Sequence, residues 1–175
     1  VDPDSDPTGY LTSIDGKELI GAVYGATQPR QVFWNEVDPD ALLLTELQKA
    51  FPGKRVTLSN TSADGQLAIL YAYSDRDAGA YYLFDRKARK VTVIARRKPW
   101  IDPNLQGAQR AFSFQARDGL RLDGLVTLPP KSTGKNLPLV VLPHGGPYEV
   151  YDSWGFDSEA QILAQVKQAY ELATA

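Results

Sequence analysis

The chain contains no cysteine, no methionine and a single histidine, His144, in 175 residues. Without cysteine there is neither a disulfide framework nor a thiolate metal site. One histidine also excludes a zinc site built on two, so the sequence calls for no metal and no cofactor. No apolar run approaches the roughly 18–20 residues that span a bilayer, and no signal-peptide pattern opens the chain; no membrane association is expected. Neither charge sign dominates: 19 Lys and Arg stand against 21 Asp and Glu, a net charge of −2. That balance gives no support to a nucleic-acid or anionic-membrane partner. The lone basic cluster, Arg96-Arg97-Lys98, runs into Pro99-Trp100 and reads as a solvated loop. Absence of cysteine leaves the compartment open: cytoplasmic, or periplasmic or secreted if a leader was removed upstream. With valine first and no methionine anywhere, the chain reads as a processed product or a piece of something longer.

What is present is ordinary for a soluble globular protein, 43% hydrophobic and 23% charged residues. That is enough for one domain, or two small pieces, with a sizeable core. Residues 1–9 are acidic and proline-rich and are expected to be loose. From Tyr10 an internal repeat begins. Thr12-Ser13-Ile14-Asp15-Gly16 is echoed by Thr61-Ser62-Ala63-Asp64-Gly65, and the same offset of 49 matches Ile20 with Ile69 and Tyr24 with Tyr73. Asp-Gly before an apolar strand is tight-turn chemistry, and recurrence at 40–50 residues is the signature of β-propeller blades. The second unit reads as a four-stranded blade: 55–59, 66–74, 80–85 and 90–95, joined by short polar turns. Between the units, Asp38 as N-cap, Pro39 at the first helical position and Leu43, Leu44, Leu47 and Phe51 at helical spacing predict a helix at 39–51, stopped by Pro52-Gly53. Residues 10–96 are thus expected to form about two blades, a partial propeller, with a helix inserted.

Pro99, Asp102-Pro103-Asn104 and Gly107 mark a linker at 97–108. Beyond it, 110–116 and 120–128 alternate as two antiparallel strands about the turn Arg117-Asp118-Gly119. A proline-rich loop follows, and then Leu137–Leu142, an apolar run that reads as a strand buried on both faces. It delivers His144 into Gly145-Gly146-Pro147. Two glycines let the backbone approach a bound atom closely, and such a turn can aim main-chain N–H groups at a developing oxyanion. On these residues alone, a Gly-Gly-Pro turn with an incidental histidine is an equal reading. Next, Tyr148–Asp157 is rich in aromatics, and Ser158 with Gln161 fits a capping box ahead of a helix carrying Ile162, Val166, Ala169 and Tyr170. Asp118 and Asp123 read as solvated turn residues rather than a catalytic pair. Trp154 and Phe156 read as core ahead of pocket lining.

Together these stretches resemble the prolyl oligopeptidase family of serine peptidases, in its acylaminoacyl-peptidase and dipeptidyl-aminopeptidase branch. The resemblance rests on three runs: Ser62–Gly65 through Ala80–Asp85; Phe112-x-Phe114-x-Ala116-Arg117-Asp118-Gly119-Leu120 with Gly124 and Leu128-Pro129; and Leu139–Pro147 followed by Trp154-x-Phe156-Asp157-x-Glu159-Ala160-Gln161-x-Leu163-Ala164. It implies a mixed fold, mostly antiparallel propeller blades followed by the N-terminal strands and first helix of an α/β-hydrolase domain at 109–175, truncated. It implies a short peptide substrate cleaved through an acyl-serine. The backbone N–H groups of Gly146, then Gly145, would face the oxyanion, with His144 and Pro147 supporting the loop. His144 stands where some relatives carry a tyrosine, and it is not the triad histidine. Glu149 and Trp154 are the candidates for substrate contact. No Gly-x-Ser-x-Gly elbow occurs in the sequence, so the triad is expected past residue 175 and the chain alone is expected to be inactive. Two other readings are a non-catalytic propeller-like protein-binding module, which leaves the His-Gly-Gly-Pro loop unexplained, and a lipase or esterase fragment, against which the blade repeat argues.

Overall fold

Both Ser-x-Asp-Gly turns close in the same way. The Ser13 hydroxyl donates to the Asp15 carboxylate at 2.7 Å and that of Ser62 to Asp64 at 2.6 Å. Each carboxylate also accepts a main-chain N–H two residues on, from Lys17 at 3.2 Å and Gln66 at 3.1 Å. Gly16 and Gly65 lie at φ +72° and +67°, a region open to glycine and strained for other residues. The repeat is therefore a repeat of conformation as well as of letters. The computed structural model describes residues 6–146 and 150–173, the side chains of 167–173 excepted.

Behind the first turn, β1 (Pro7–Thr12), β2 (Leu19–Tyr24) and β3 (Arg30–Phe33) form a three-stranded antiparallel sheet in that order. Behind the second, β4 (Arg55–Thr61), β5 (Leu67–Tyr73), β6 (Ala80–Asp85) and β7 (Lys90–Arg96) form a four-stranded antiparallel meander. The offset of 49 extends into the registers: Gly21 faces Phe33 in one sheet, and Leu70 faces Tyr82 in the other. β1 starts at Pro7, so residues 7–9 are not loose. Pro7 sits opposite Tyr24 and Gly9 opposite Val23, because a proline is tolerated on an edge strand.

Where the second repeat has its fourth strand, at 90–96, the corresponding positions 41–47 of the first lie in α1 (Pro39–Lys49). Local chemistry decides this. Lys90-Val-Thr-Val-Ile-Ala is rich in β-branched residues, whereas Asp38 caps a helix by accepting the N–H of Asp40 at 2.8 Å and of Ala41 at 3.1 Å. Leu43, Leu44 and Leu47 then share one buried face. They pack with Ile14, Ile20, Val56, Ala68, Leu70, Ala72 and Phe84 in a single core. Asp40 fastens the helix by accepting the Ile14 N–H at 2.8 Å and pairing with Arg86. These elements belong to one compact unit, residues 1–25, 29–74 and 78–100.

A second unit comprises residues 101–175 with the short turns 26–28 and 75–77. Its frame is the hairpin β8 (Ala108–Gln115) and β9 (Arg121–Leu128), paired without a slip from Ala108 opposite Leu128 to Gln115 opposite Arg121. Gly124 lies under the Phe112 ring, where an added Cβ would come within 2.7 Å. Asp118 accepts the Leu120 N–H in the turn. Asp123, expected at a turn, instead sits within β9 beside Arg121.

The expected strand over 137–142 does not form. Residues 137–146 carry no regular structure, and Leu139, Val140, Val141 and Leu142 are 81%, 56%, 73% and 43% exposed. A strand exists only where a neighbour takes its N–H and C=O groups. β8 and β9 pair only with each other, and Pro138 and Pro143 carry no N–H to offer. The last helix, α2 (Ser158–Ala173), does form, but its cap is not the expected Ser158. The Asp157 carboxylate accepts the Ala160 N–H at 2.7 Å, and Gln161, expected to complete the capping box, is engaged elsewhere.

Candidate functional site

The loop singled out by the sequence, His144-Gly145-Gly146, is exposed. Gly146 takes φ +136°, a conformation that L side chains rarely adopt, and a Cβ at Gly145 would meet nothing within 4 Å. Here the main chain is open on the side where a side chain would stand, as close approach of a ligand requires. The His144 Nδ1 lies 2.7 Å from the Gly145 carbonyl oxygen. In the tautomer protonated at Nδ1 the ring donates to that oxygen, leaving Nε2 as a free acceptor. Pro147 and Glu149, the other candidates from this loop, lie outside the described residues. Among the described residues no group of three His, Cys, Asp or Glu side chains could hold a metal ion.

Trp154 is half-buried, and its main-chain N–H donates to the Ala26 carbonyl at 2.9 Å. The neighbouring Gly155 N–H donates to the Gln109 side chain at 3.1 Å. Sequence reasoning missed what fixes this region. Gln161, only 4% exposed, accepts the Gly107 N–H at 2.7 Å and donates to the carbonyls of Gly107 and Asp75, each at 2.9 Å. One amide thus satisfies three main-chain groups, the two of Gly107 buried and that of Asp75 partly so, that would otherwise cost stability. Gly107 is required there, since an added Cβ would lie 2.4 Å from the Leu128 carbonyl oxygen. The Asp75 carboxylate accepts the Gln109 N–H at 2.8 Å. The sequence signal was a glutamine three residues after a serine, a pattern that a capping box shares.

Over 140 residues the chain is 31% identical to dipeptidyl aminopeptidase BIII of Pseudoxanthomonas mexicana, an alignment covering 75% of this chain and 20% of that protein. The chain is related to a peptidase. It spans about a fifth of the length of that relative. No family model matches it. The relationship agrees with the peptidase resemblance of the sequence motifs at that coarser level. The mostly antiparallel sheets and two helices agree with a mixed, β-rich fold. No helix among the described residues is long and apolar enough to cross a membrane.

Proposed function

We propose that the chain is part of a serine peptidase of the prolyl oligopeptidase type, acting on short peptides through an acyl-serine. In this reading the sheets β1–β3 and β4–β7 are propeller blades and the hairpin β8–β9 opens an α/β-hydrolase domain. The observation that carries the reading is the 31% identity to a dipeptidyl aminopeptidase, in a chain that also holds the His144-Gly145-Gly146-Pro147 motif. The open main chain at Gly145 and the positive φ of Gly146 support a role for their N–H groups in stabilising an oxyanion. Such a donor acts by hydrogen-bonding charge that develops only in the transition state. Trp154, and Glu149 on its place in the sequence alone, are assigned to substrate contact.

The sequence holds no Gly-x-Ser-x-Gly elbow, so the chain by itself has no activated serine to acylate. Purified alone, it is expected not to turn over a dipeptidyl nitroanilide. Turnover that a fluorophosphonate abolishes would overturn this. In the longer enzyme that contains it, Gly146→Pro removes the proposed donor and is expected to lower kcat by about 100-fold or more, with a much smaller change in KM. An unchanged kcat would remove Gly146 from the catalytic machinery.

A further inference from the structure

The turn built by Ser13–Gly16 and Ser62–Gly65 recurs a third time with one group missing. At Ala116-Arg117-Asp118-Gly119 the Gly119 N–H donates to the Ala116 carbonyl at 3.0 Å, as Gly16 does to Ser13 and Gly65 to Ser62, each at 2.9 Å. The Asp118 carboxylate again accepts the N–H two residues on, from Leu120 at 3.0 Å, and Gly119 takes φ +86°. Alanine, however, stands where the other two turns carry serine, so no hydroxyl reaches the carboxylate. Asp15 receives the Ser13 hydroxyl, the Lys17 N–H and the Lys17 ammonium, and Asp64 receives the Ser62 hydroxyl and the Gln66 N–H. Among the described residues Asp118 receives the Leu120 N–H alone. The surroundings differ too. Gly65 is buried, and an added Cβ would lie 3.0 Å from the Asp15 Cβ, whereas at the exposed Gly119 it would meet nothing within 4 Å.

An aspartate followed by glycine can close on the glycine nitrogen, because no Cβ stands in the way. The reacting form is the neutral carboxyl, which leaves as water; a carboxylate would have to expel oxide. Donors to the charged form favour it over the neutral one. The Ser13 hydroxyl, then the Lys17 side chain and N–H, hold Asp15 at about 2 against 3.8 ordinarily, and a lowering by one makes the neutral form about ten times rarer near neutral pH. The same donors must also be given up before the carboxyl can turn toward the glycine nitrogen. All three glycine N–H groups are held alike, so the carboxylate is what separates the turns. The fourth Asp-Gly pair, Asp123-Gly124, lies inside β9, where pairing with β8 keeps the main chain extended.

We propose that Asp118-Gly119 is a site of spontaneous isoaspartate formation in the folded protein, and that Ser13 and Ser62 protect the two sister turns from it. The Gly119 nitrogen attacks the Asp118 Cγ; a C–N bond forms, a C–O bond breaks, and the hydroxyl leaves with the N–H proton as water. Water then adds to the main-chain carbonyl of the cyclic imide and breaks its bond to nitrogen. The chain now runs through the former side chain, with mass unchanged and no oxidant or cofactor needed. The product carries an extra main-chain methylene in the turn that joins β8 to β9. The modification does not rest on the peptidase reading and survives or fails independently of it.

The test is to age the 175-residue protein in mildly acidic buffer, folded and in concentrated urea, and to map its peptides by electron-transfer fragmentation, which separates isoaspartate from aspartate at equal mass. In the folded protein, isoaspartate is expected to accumulate at residue 118 about ten times faster than at 15 or 64, the factor that a lowering of the carboxyl by one supplies. In urea the three rates are expected to converge, since glycine follows each aspartate. Ala116→Ser restores the missing hydroxyl and is expected to slow the reaction at 118 toward the rates at the sister turns. Ser62→Ala, checked for folding by circular dichroism, is expected to raise the rate at 64. Equal rates at 15, 64 and 118 in the folded protein overturn the proposal, as does no isoaspartate at 118 while the unfolded chain forms it. A difference among the sites that persists in urea, or an unchanged rate at 118 in the Ala116→Ser protein, overturns the protective role of the serine.

Discussion

Two apolar runs of similar length meet opposite fates in this molecule. Leu67-Ala-Ile-Leu-Tyr-Ala-Tyr73 is β5, paired on both sides, and Ala68, Leu70 and Ala72 are fully removed from solvent. Leu137-Pro-Leu-Val-Val-Leu142 is as apolar, yet its last four residues are exposed and no strand forms. Apolarity therefore sets how much a segment gains from burial, while the supply of hydrogen-bonding neighbours decides whether burial as a strand happens. β5 has β4 and β6 within a few residues of sequence on either side. Residues 137–142 follow a two-stranded hairpin, and neither of its strands extends its pairing to them.

The comparison breaks most visibly at Leu70, 0% exposed in the core of the first unit. Leu70→Ala is expected to destabilise that unit by about 3 kcal/mol, the transfer term plus the cavity left behind. Urea unfolding followed by the near-ultraviolet signal of Tyr71, which stacks on both Tyr73 and Tyr81, measures it. A loss below about 0.5 kcal/mol, the size of an ordinary surface change, would mean that β5 is not the anchored member of the pair.

A smaller effect tests the turns that deliver the strands. The Ser13 hydroxyl, followed by the Lys17 side chain and N–H, holds the Asp15 carboxyl down at about 2, against 3.8 ordinarily. The Ser62 hydroxyl and Gln66 N–H lower Asp64 in the same way. A depressed folded-state value means that the stabilisation is complete above the ordinary aspartate range and is lost as pH falls toward about 2. The melting temperature of the first unit is expected to fall across that interval. Asp15→Asn is expected to flatten the fall, measured by circular dichroism over a pH series. An equal acid slope in the variant would remove the turn from the account.

Much of the first unit was legible because its signals are local. Alternation in Ala80–Asp85, Asp-Gly at positions 15–16 and 64–65, and Asp38-Pro39 ahead of a leucine stripe each act within a few residues, and each element formed where its signal stood. The errors came where a distant partner decides. The run 137–142 carries the composition of a strand but no information about its neighbour. Pro7–Gly9 has loop-like letters and is ordered by Val23 and Tyr24 from β2. Gln161 matches a capping pattern, yet its amide meets Gly107, more than fifty residues earlier. Of the candidate site, the sequence named Gly145 and Gly146 from the freedom of glycine itself. The link between Gln161, Gly107 and Asp75 was not, because nothing near Gln161 in the chain names its partners.

The smallest expected effect is the sharpest statement of the contrast. Val141 is 73% exposed, so Val141→Ser removes little surface from contact and leaves the hydrogen bonds of the fold untouched. Its cost in this chain should lie within about 0.5 kcal/mol of zero, as for surface sites generally. The same substitution at a buried, paired strand position loses the burial of an apolar side chain and places a hydroxyl in the core. Equal stabilities of the Val141→Ser and unaltered proteins in urea would show that apolar sequence without a partner strand contributes nothing to this fold. A loss approaching that of Leu70→Ala would show that 137–142 is buried in solution, and would return the segment to the strand that its composition predicts.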